Sequence, residues 1–161
     1  MKSYDFYECP LGNLLLVAHN KILCGIYFEK HKAGPDIEPD WKRTPEHFAT
    51  TKRSLDRYFE TGLNDRLPEF KLDGTDFQLR VWNELKKIKP GTTSTYATIA
   101  KTIGSPKASR AVGAAVGKNP ISILIPCHRV VGSSGLTGFA GGIKKKEWLL
   151  DHEQNKLLVN L

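Results

Sequence analysis

The sequence predicts an α+β fold, with a small N-terminal antiparallel sheet and one helix followed by a mainly helical C-terminal unit that contains a helix-turn-helix. Three observations predict it. Residues 1–28 hold three short apolar and aromatic runs separated by turn residues. From Pro45 onward apolar residues return at helical spacing, and proline and glycine punctuate those stretches. The composition, 40% hydrophobic and 25% charged over 161 residues, is that of an ordinary globular chain of one or two domains.

Residues 4–8 and 14–18 read as strands, and Pro10-Leu11-Gly12-Asn13 between them reads as a hairpin connection with a Gly-Asn turn. Residues 22–28 form a third strand. Residues 30–40 are polar and include Pro35 and Pro39, which marks a loop. Thr44 offers an N-cap with Pro45 at the first helical position. Phe48, Leu55, Tyr58 and Phe59 then fall near helical spacing until Gly62 ends the helix. This unit carries no cluster of acidic residues of the kind a metal-dependent nuclease needs.

Residues 63–71, with Pro68, read as a connection, so the chain is divided into units 1–67 and 75–161 joined by a linker 68–74. Thr75 caps a helix over 76–87 whose Phe77, Val81, Trp82 and Leu85 make a core-facing stripe, and Pro90-Gly91 stops it. A short helix over 94–103, a break at Gly104-Ser105-Pro106 and a second helix over 107–118 give the outline of a helix-turn-helix. Helical hairpins that bind nothing share that outline. The second helix is rich in small residues (Ala108, Ser109, Ala111, Gly113, Ala114, Ala115, Gly117), which lets either a core neighbour or a nucleic-acid groove approach its backbone closely.

The net charge is +7, and it is unevenly placed. Residues 1–72 balance 11 basic against 11 acidic side chains, whereas residues 73–161 carry 13 Lys and Arg against 6 Asp and Glu. A localised basic field suits a polyanion, through phosphate neutralisation and counterion release, although it also serves solubility alone. Cys9, Cys24 and Cys127 make no disulfide framework, which fits a reducing compartment. With no apolar run of membrane-spanning length and no signal-like N-terminus, the expected location is cytoplasmic.

The stretch Ile123-Leu124-Ile125-Pro126-Cys127-His128-Arg129-Val130-Val131 embeds a thiol, an imidazole and a guanidinium in an apolar run. The thiolate is the reactive form of cysteine, and a neighbouring imidazole or cation raises its fraction, so Cys127 is a candidate nucleophile. A small buried hydrophobe is the plainer role for it. A cysteine hydrolase is a further reading, but its base is usually distant in sequence, unlike His128.

These nine residues resemble the active-site motif of the O6-alkylguanine-DNA alkyltransferases, in which Pro-Cys-His-Arg-Val carries the alkyl-accepting cysteine. The resemblance continues through Gly74-Thr75-Asp76-Phe77-Gln78, Val81-Trp82, Thr95-Tyr96-Ala97, Ile99-Ala100, Ser109-Arg110-Ala111-Val112-Gly113 and Asn119-Pro120. It extends on to Gly138-Phe139-Ala140-Gly141-Gly142 and Lys146-Glu147-Trp148-Leu149-Leu150. It covers residues 73 to about 153, while residues before about 65 match only in layout.

The resemblance implies a ribonuclease-H-like N-terminal sheet and DNA repair by direct reversal. An alkyl group would pass once and irreversibly from O6-alkylguanine in duplex DNA to Cys127, and the sequence leaves open whether O4-alkylthymine is also taken. His128 would act through a bridging water and be oriented by Glu153, with Asn119 holding the turn and Tyr96 donating to guanine N3. Arg110 would enter the base stack as the target nucleotide leaves, and Ala108, Ser109, Ala111, Gly113, Ala114, Thr95 and Arg129 would meet DNA along the minor groove. Pro126, Val130, Ser133, Tyr96, Phe139, Ala140 and Gly141 would line the base pocket. Phe139 stands where many relatives have tyrosine, which bears on substrate range. The partner implied is double-stranded DNA carrying O6-alkylguanine, with no cofactor, no membrane and no obligate protein partner. Cys9, Cys24, His19 and His31 have no metal-site spacing, so no metal is expected. A non-catalytic binder of alkylated DNA is the alternative, and it is disfavoured because such relatives replace the cysteine.

Overall fold

In the computed structural model, which describes residues 1–31, 34–136, 139 and 141–159, the chain opens with three antiparallel strands, β1 (Lys2–Cys9), β2 (Gly12–His19) and β3 (Ile22–Phe28). Pairing of β1 with β2 runs from Lys2↔His19 to Cys9↔Gly12, so the turn is Pro10-Leu11 and the expected Gly-Asn turn is corrected. Gly12 instead supplies the left-handed φ of +101° that brings the chain out of the turn. Asn20 and Lys21, both at positive φ, make the next turn, the combination whose twist matches that of a hairpin. A two-residue β4 (Lys42–Arg43), too short to leave a sequence pattern, pairs parallel with β1 and completes the order β3-β2-β1-β4. Arg43 and Lys52 both pair with the buried carboxylate of Asp5, which fastens this edge.

The helix expected from Pro45 begins as a 3₁₀ turn, Pro45–Phe48, before α1 (Ala49–Thr61). Thr44 does not cap it through its side chain, because its hydroxyl donates to the Lys42 carbonyl. Gly62 closes α1 at φ +77° with its N–H on the Tyr58 carbonyl, 2.7 Å. Thr75 and Gln78 form a reciprocal capping box at the start of α2 (Asp76–Leu85). That helix ends two residues earlier than expected, in a turn that runs to Gly91 at φ +78°. Residues 94 and 95 are not helical: β5 (Ser94–Thr95) pairs parallel with β6 (Val130–Val131), and only then does α3 (Tyr96–Thr102) begin, capped by the Thr95 hydroxyl. The shorter α4 (Ser109–Gly117) packs against α2 and α3, and Trp82 Nε1 donates to the Ala115 carbonyl at 2.8 Å. A 17-residue helix, α5 (Ile143–Val159), follows.

One contiguous core joins Leu14, Leu16, Ile26 and Phe28 of the sheet to Tyr58 of α1, Trp82 of α2, Val112 of α4 and Leu149 of α5. Backbone pairing also crosses between the halves: Lys71 N–H donates to Leu23, Ile26 N–H to Pro120, and Ser122 N–H to Ile26. The segment leading to Cys127 is thereby bolted to the edge of β3. No helix among the described residues is long and apolar enough to cross a membrane.

Candidate active site

The segment from Asn119 to Cys127 folds as a compact buried turn because Asn119 serves its backbone. Its Oδ1 accepts from Ile121 N–H (3.1 Å) and its Nδ2 donates to the Ile125 carbonyl (2.8 Å). Ile123 sits at φ +72°, a costly conformation for a β-branched residue. Asn64, which lies just beyond α1, helps hold it there by donating from Nδ2 to the Ile123 and Leu124 carbonyls (3.3 and 3.2 Å). The neighbouring Ile125 N–H closes the turn on the Ile121 carbonyl at 3.0 Å.

Pro126 is followed by a single 3₁₀ turn, Cys127–Arg129, although its β-branched neighbours favour an extended chain. In such a turn successive side chains diverge by about a third of a revolution. Cys127 consequently faces the edge of the core, 5% exposed, while His128 and Arg129 are driven inward. Burial pushes the Cys127 thiol up, opposed by a hydrogen bond from Asn119, the Lys146 ammonium and local backbone N–H groups. The resting group is therefore a thiol that needs a base.

His128 Nε2 lies 2.5 Å from Glu153 Oε1. Burial holds the imidazole below its ordinary pKa, with Arg129 and Lys146 acting the same way and Glu153 opposing. Burial alone would raise the Glu153 carboxyl, but the hydrogen bonds and charges of His128 and Arg129 override it and hold the group at about 2. A carboxylate only accepts, so the neutral ring carries its proton on Nε2 and leaves Nδ1 as a base. Nδ1 makes no hydrogen bond among the described residues.

Arg129 corrects one expectation. At 1% exposure it cannot contact DNA: Nε and Nη2 grip both Glu153 oxygens at 2.9 Å, and Nη1 donates to the Ile88 carbonyl at 2.7 Å. It is a counter-charge to the site's carboxylate. Lys146, one of three consecutive lysines, is likewise fully buried on α5. Its ammonium lies 5.9 Å from the centre of the Tyr96 ring and draws the Cys127 thiol down. The signal that could have found it is the spacing Lys146, Leu149, Glu153, one stripe of a helix. Tyr58, whose hydroxyl donates to Glu153 Oε1 at 2.8 Å, read only as a core aromatic.

The other expected residues divide into two regions. Tyr96, at the start of α3, borders Gly113 of α4, where an added Cβ would stand 3.8 Å from its ring. On α4, Arg110, Ala111 and Ala114 are exposed, as are Lys107 just before the helix and Lys118 at its C-cap, while Ser109 and the N-cap residue Ala108 are half-buried. A basic face with alanines at its centre is thus turned outward. Thr95 is occupied with capping α3. Pro126 and Val130 are buried beside Cys127 in the chain. Ser133 is exposed in a tight turn closed by Gly132 and Gly135. The ring of Phe139 packs edge-on against Phe28 at 5.7 Å, and Gly141 must lack a side chain because a Cβ would strike both rings. Ala140 and Gly138 lie outside the described residues.

Comparison with known proteins follows this geometry closely. Residues 76–155 match the family model for the 6-O-methylguanine DNA methyltransferase DNA binding domain, and residues 2–68 match its ribonuclease-like domain. The chain is 44% identical to a methylated-DNA–protein-cysteine methyltransferase of Methanosarcina acetivorans, over 93% of this chain and 97% of that one. It is 41% identical to the protein of the same name from Mycobacterium tuberculosis, over 100% and 98%. Among solved structures, a Mycobacterium tuberculosis OGT in complex with DNA superposes with a TM-score of 0.86 at 40% identity, covering 96% of this chain and 94% of that one.

Proposed function

From the premise that this chain belongs to the 6-O-methylguanine DNA methyltransferase family, we infer that it repairs alkylated DNA by taking the alkyl group from guanine O6 onto Cys127. The observation that carries this reading is the buried thiol set one residue from an imidazole that a carboxylate at 2.5 Å orients. Glu153 fixes the His128 tautomer, and Nδ1 accepts the thiol proton through one water. Sulfur then forms its bond to the alkyl carbon as the carbon–O6 bond breaks. The electron pair passes to the purine, whose N3 accepts a hydrogen bond from the Tyr96 hydroxyl. Lys146 and Asn119 favour the thiolate while it lasts. Because a thioether does not hydrolyse, each chain acts once.

The base must leave the duplex to reach a thiol this enclosed, which costs a few kcal/mol. The exposed face of α4 supports a minor-groove approach in which Ala111 and Ala114 allow close contact, Lys107 and Lys118 meet phosphates, and Arg110 fills the space of the departed base. The partner is duplex DNA bearing O6-alkylguanine, met by a two-unit chain (1–67 and 75–161) in the cytoplasm, at the nucleoid through DNA binding, without an obligate protein partner. Replacing Arg110→Ala tests this. Transfer from duplex DNA is expected to fall at least tenfold while transfer from the free alkylated base is unchanged, and an equal loss on both substrates removes the finger role.

A further inference from the structure

We propose that Tyr58, supplied by α1 of the N-terminal unit, is a positioning residue for the transfer reaction: its hydroxyl shares Glu153 Oε1 with His128 and so sets how tightly that carboxylate holds a proton on the imidazole. The inference rests on the proposed roles of Cys127, His128 and Glu153. Tyr58 is fully buried, and its hydroxyl reaches Oε1 at 2.8 Å, across 95 residues of sequence, while His128 Nε2 meets the same oxygen at 2.5 Å. The Tyr58 and His128 rings also stand edge-to-face at 6.2 Å. Packing at this position does not require a hydroxyl, which once buried must find an acceptor. A phenylalanine would fill the same volume, so the hydrogen bond is what the tyrosine adds.

The charged side chains Arg129 and Lys146 act on the same proton as Glu153. Arg129 approaches from the 3₁₀ turn through Nε and Nη2, the Gly91 N–H reaches Oε2 at 3.2 Å, and Lys146 acts from α5. His152 borders Tyr58, its Nε2 3.1 Å from the Tyr58 carbonyl, and among the described residues it makes no hydrogen bond to the carboxylate. Each donor on Glu153 spreads its negative charge and weakens its pull on an imidazolium. Tyr58 is the neutral side chain among these donors, and it thereby helps to keep His128 unprotonated and ready to receive the thiol proton. It also makes the site depend on the N-terminal unit, since α1 carries this donor.

The test is the pH dependence of alkyl transfer in Tyr58→Phe, with duplex DNA containing O6-methylguanine. Loss of the hydroxyl strengthens the carboxylate's hold, His128 stays protonated to higher pH, and the acid limb is expected to move up by about half a unit, a threefold slower transfer at its foot. Site-specific 3-fluorotyrosine in place of Tyr58 is isosteric and a stronger donor, so it moves the same limb down. A purely structural role predicts no opposite shift, and coincident profiles for all three proteins overturn the proposal. The titration of the His128 ring, followed by NMR, should show the same two shifts without any substrate. Should the natural protein fail to transfer at all, the functional reading falls, while that titration still decides whether Tyr58 tunes His128.

Discussion

Glu153→Gln is the most revealing single change, because it keeps the side-chain volume and removes one charge from a fully buried cluster. In the natural protein both carboxylate oxygens are occupied by Arg129, with His128, Tyr58 and the Gly91 N–H completing the shell. The variant leaves Arg129 buried with no counter-charge, which costs about 3–5 kcal/mol. The depressed carboxyl gives an independent figure: held at about 2 against an ordinary 4.5, it contributes about 3 kcal/mol by linkage. This stabilisation is complete above pH 4.5 and is lost as the pH falls through about 2. Urea denaturation at pH 7 should therefore show the variant about 3–5 kcal/mol less stable, a melting temperature lower by roughly 6–20 °C for a chain of this size. At pH 3 the gap should narrow by about 2 kcal/mol, because the natural protein has by then lost much of the same contribution. A gap that stays constant between the two pH values, or that is below about 1 kcal/mol at pH 7, would refute the view that Glu153 is a charged keystone.

Two further outcomes are expected. Lys146→Met removes the buried ammonium beside the thiol. Burial then acts on Cys127 with less opposition, and modification by iodoacetamide at pH 8 should slow several-fold with its pH midpoint displaced upward; an unchanged midpoint would mean that Lys146 does not act on the sulfur. Lys107→Ala should weaken binding to undamaged duplex and reduce the slope of log affinity against log salt by about 0.9 if it neutralises one phosphate, as fluorescence anisotropy at several salt concentrations would show.

Features governed by neighbouring residues were legible in the sequence. The Thr75 cap and the Gly62 stop rest on contacts within a few residues, and the three N-terminal strands and the pair of short helices join sequence neighbours through short turns, which composition and spacing encode. Cys127 and His128 stood out for the same reason, as polar residues in an apolar run. What the sequence hid depends on distance. The contact of Tyr58 with Glu153 leaves no local mark, and a tyrosine on the apolar stripe of α1 looks like any core aromatic. Arg129, which the resemblance placed among the DNA contacts, is satisfied inside the protein by Glu153 and the Ile88 carbonyl, partners distant in sequence. The 3₁₀ turn at Cys127 was masked by its β-branched surroundings, which suggest a strand, while the left-handed Ile123 and Pro126 turn the chain before it. Strands β4, β5 and β6 span two residues each and exist only because a partner lies alongside.

The claim on which the account depends is that the sulfur of Cys127 accepts carbon from a damaged base and keeps it. Mass spectrometry of the peptide containing Cys127, after incubation with an excess of O6-methylguanine duplex, tests this directly. The account predicts one added methyl per chain, confined to that peptide, with repair ceasing at one lesion per protein. An unmodified Cys127 peptide, whether the lesion is retained, ignored or turned over repeatedly, would contradict it.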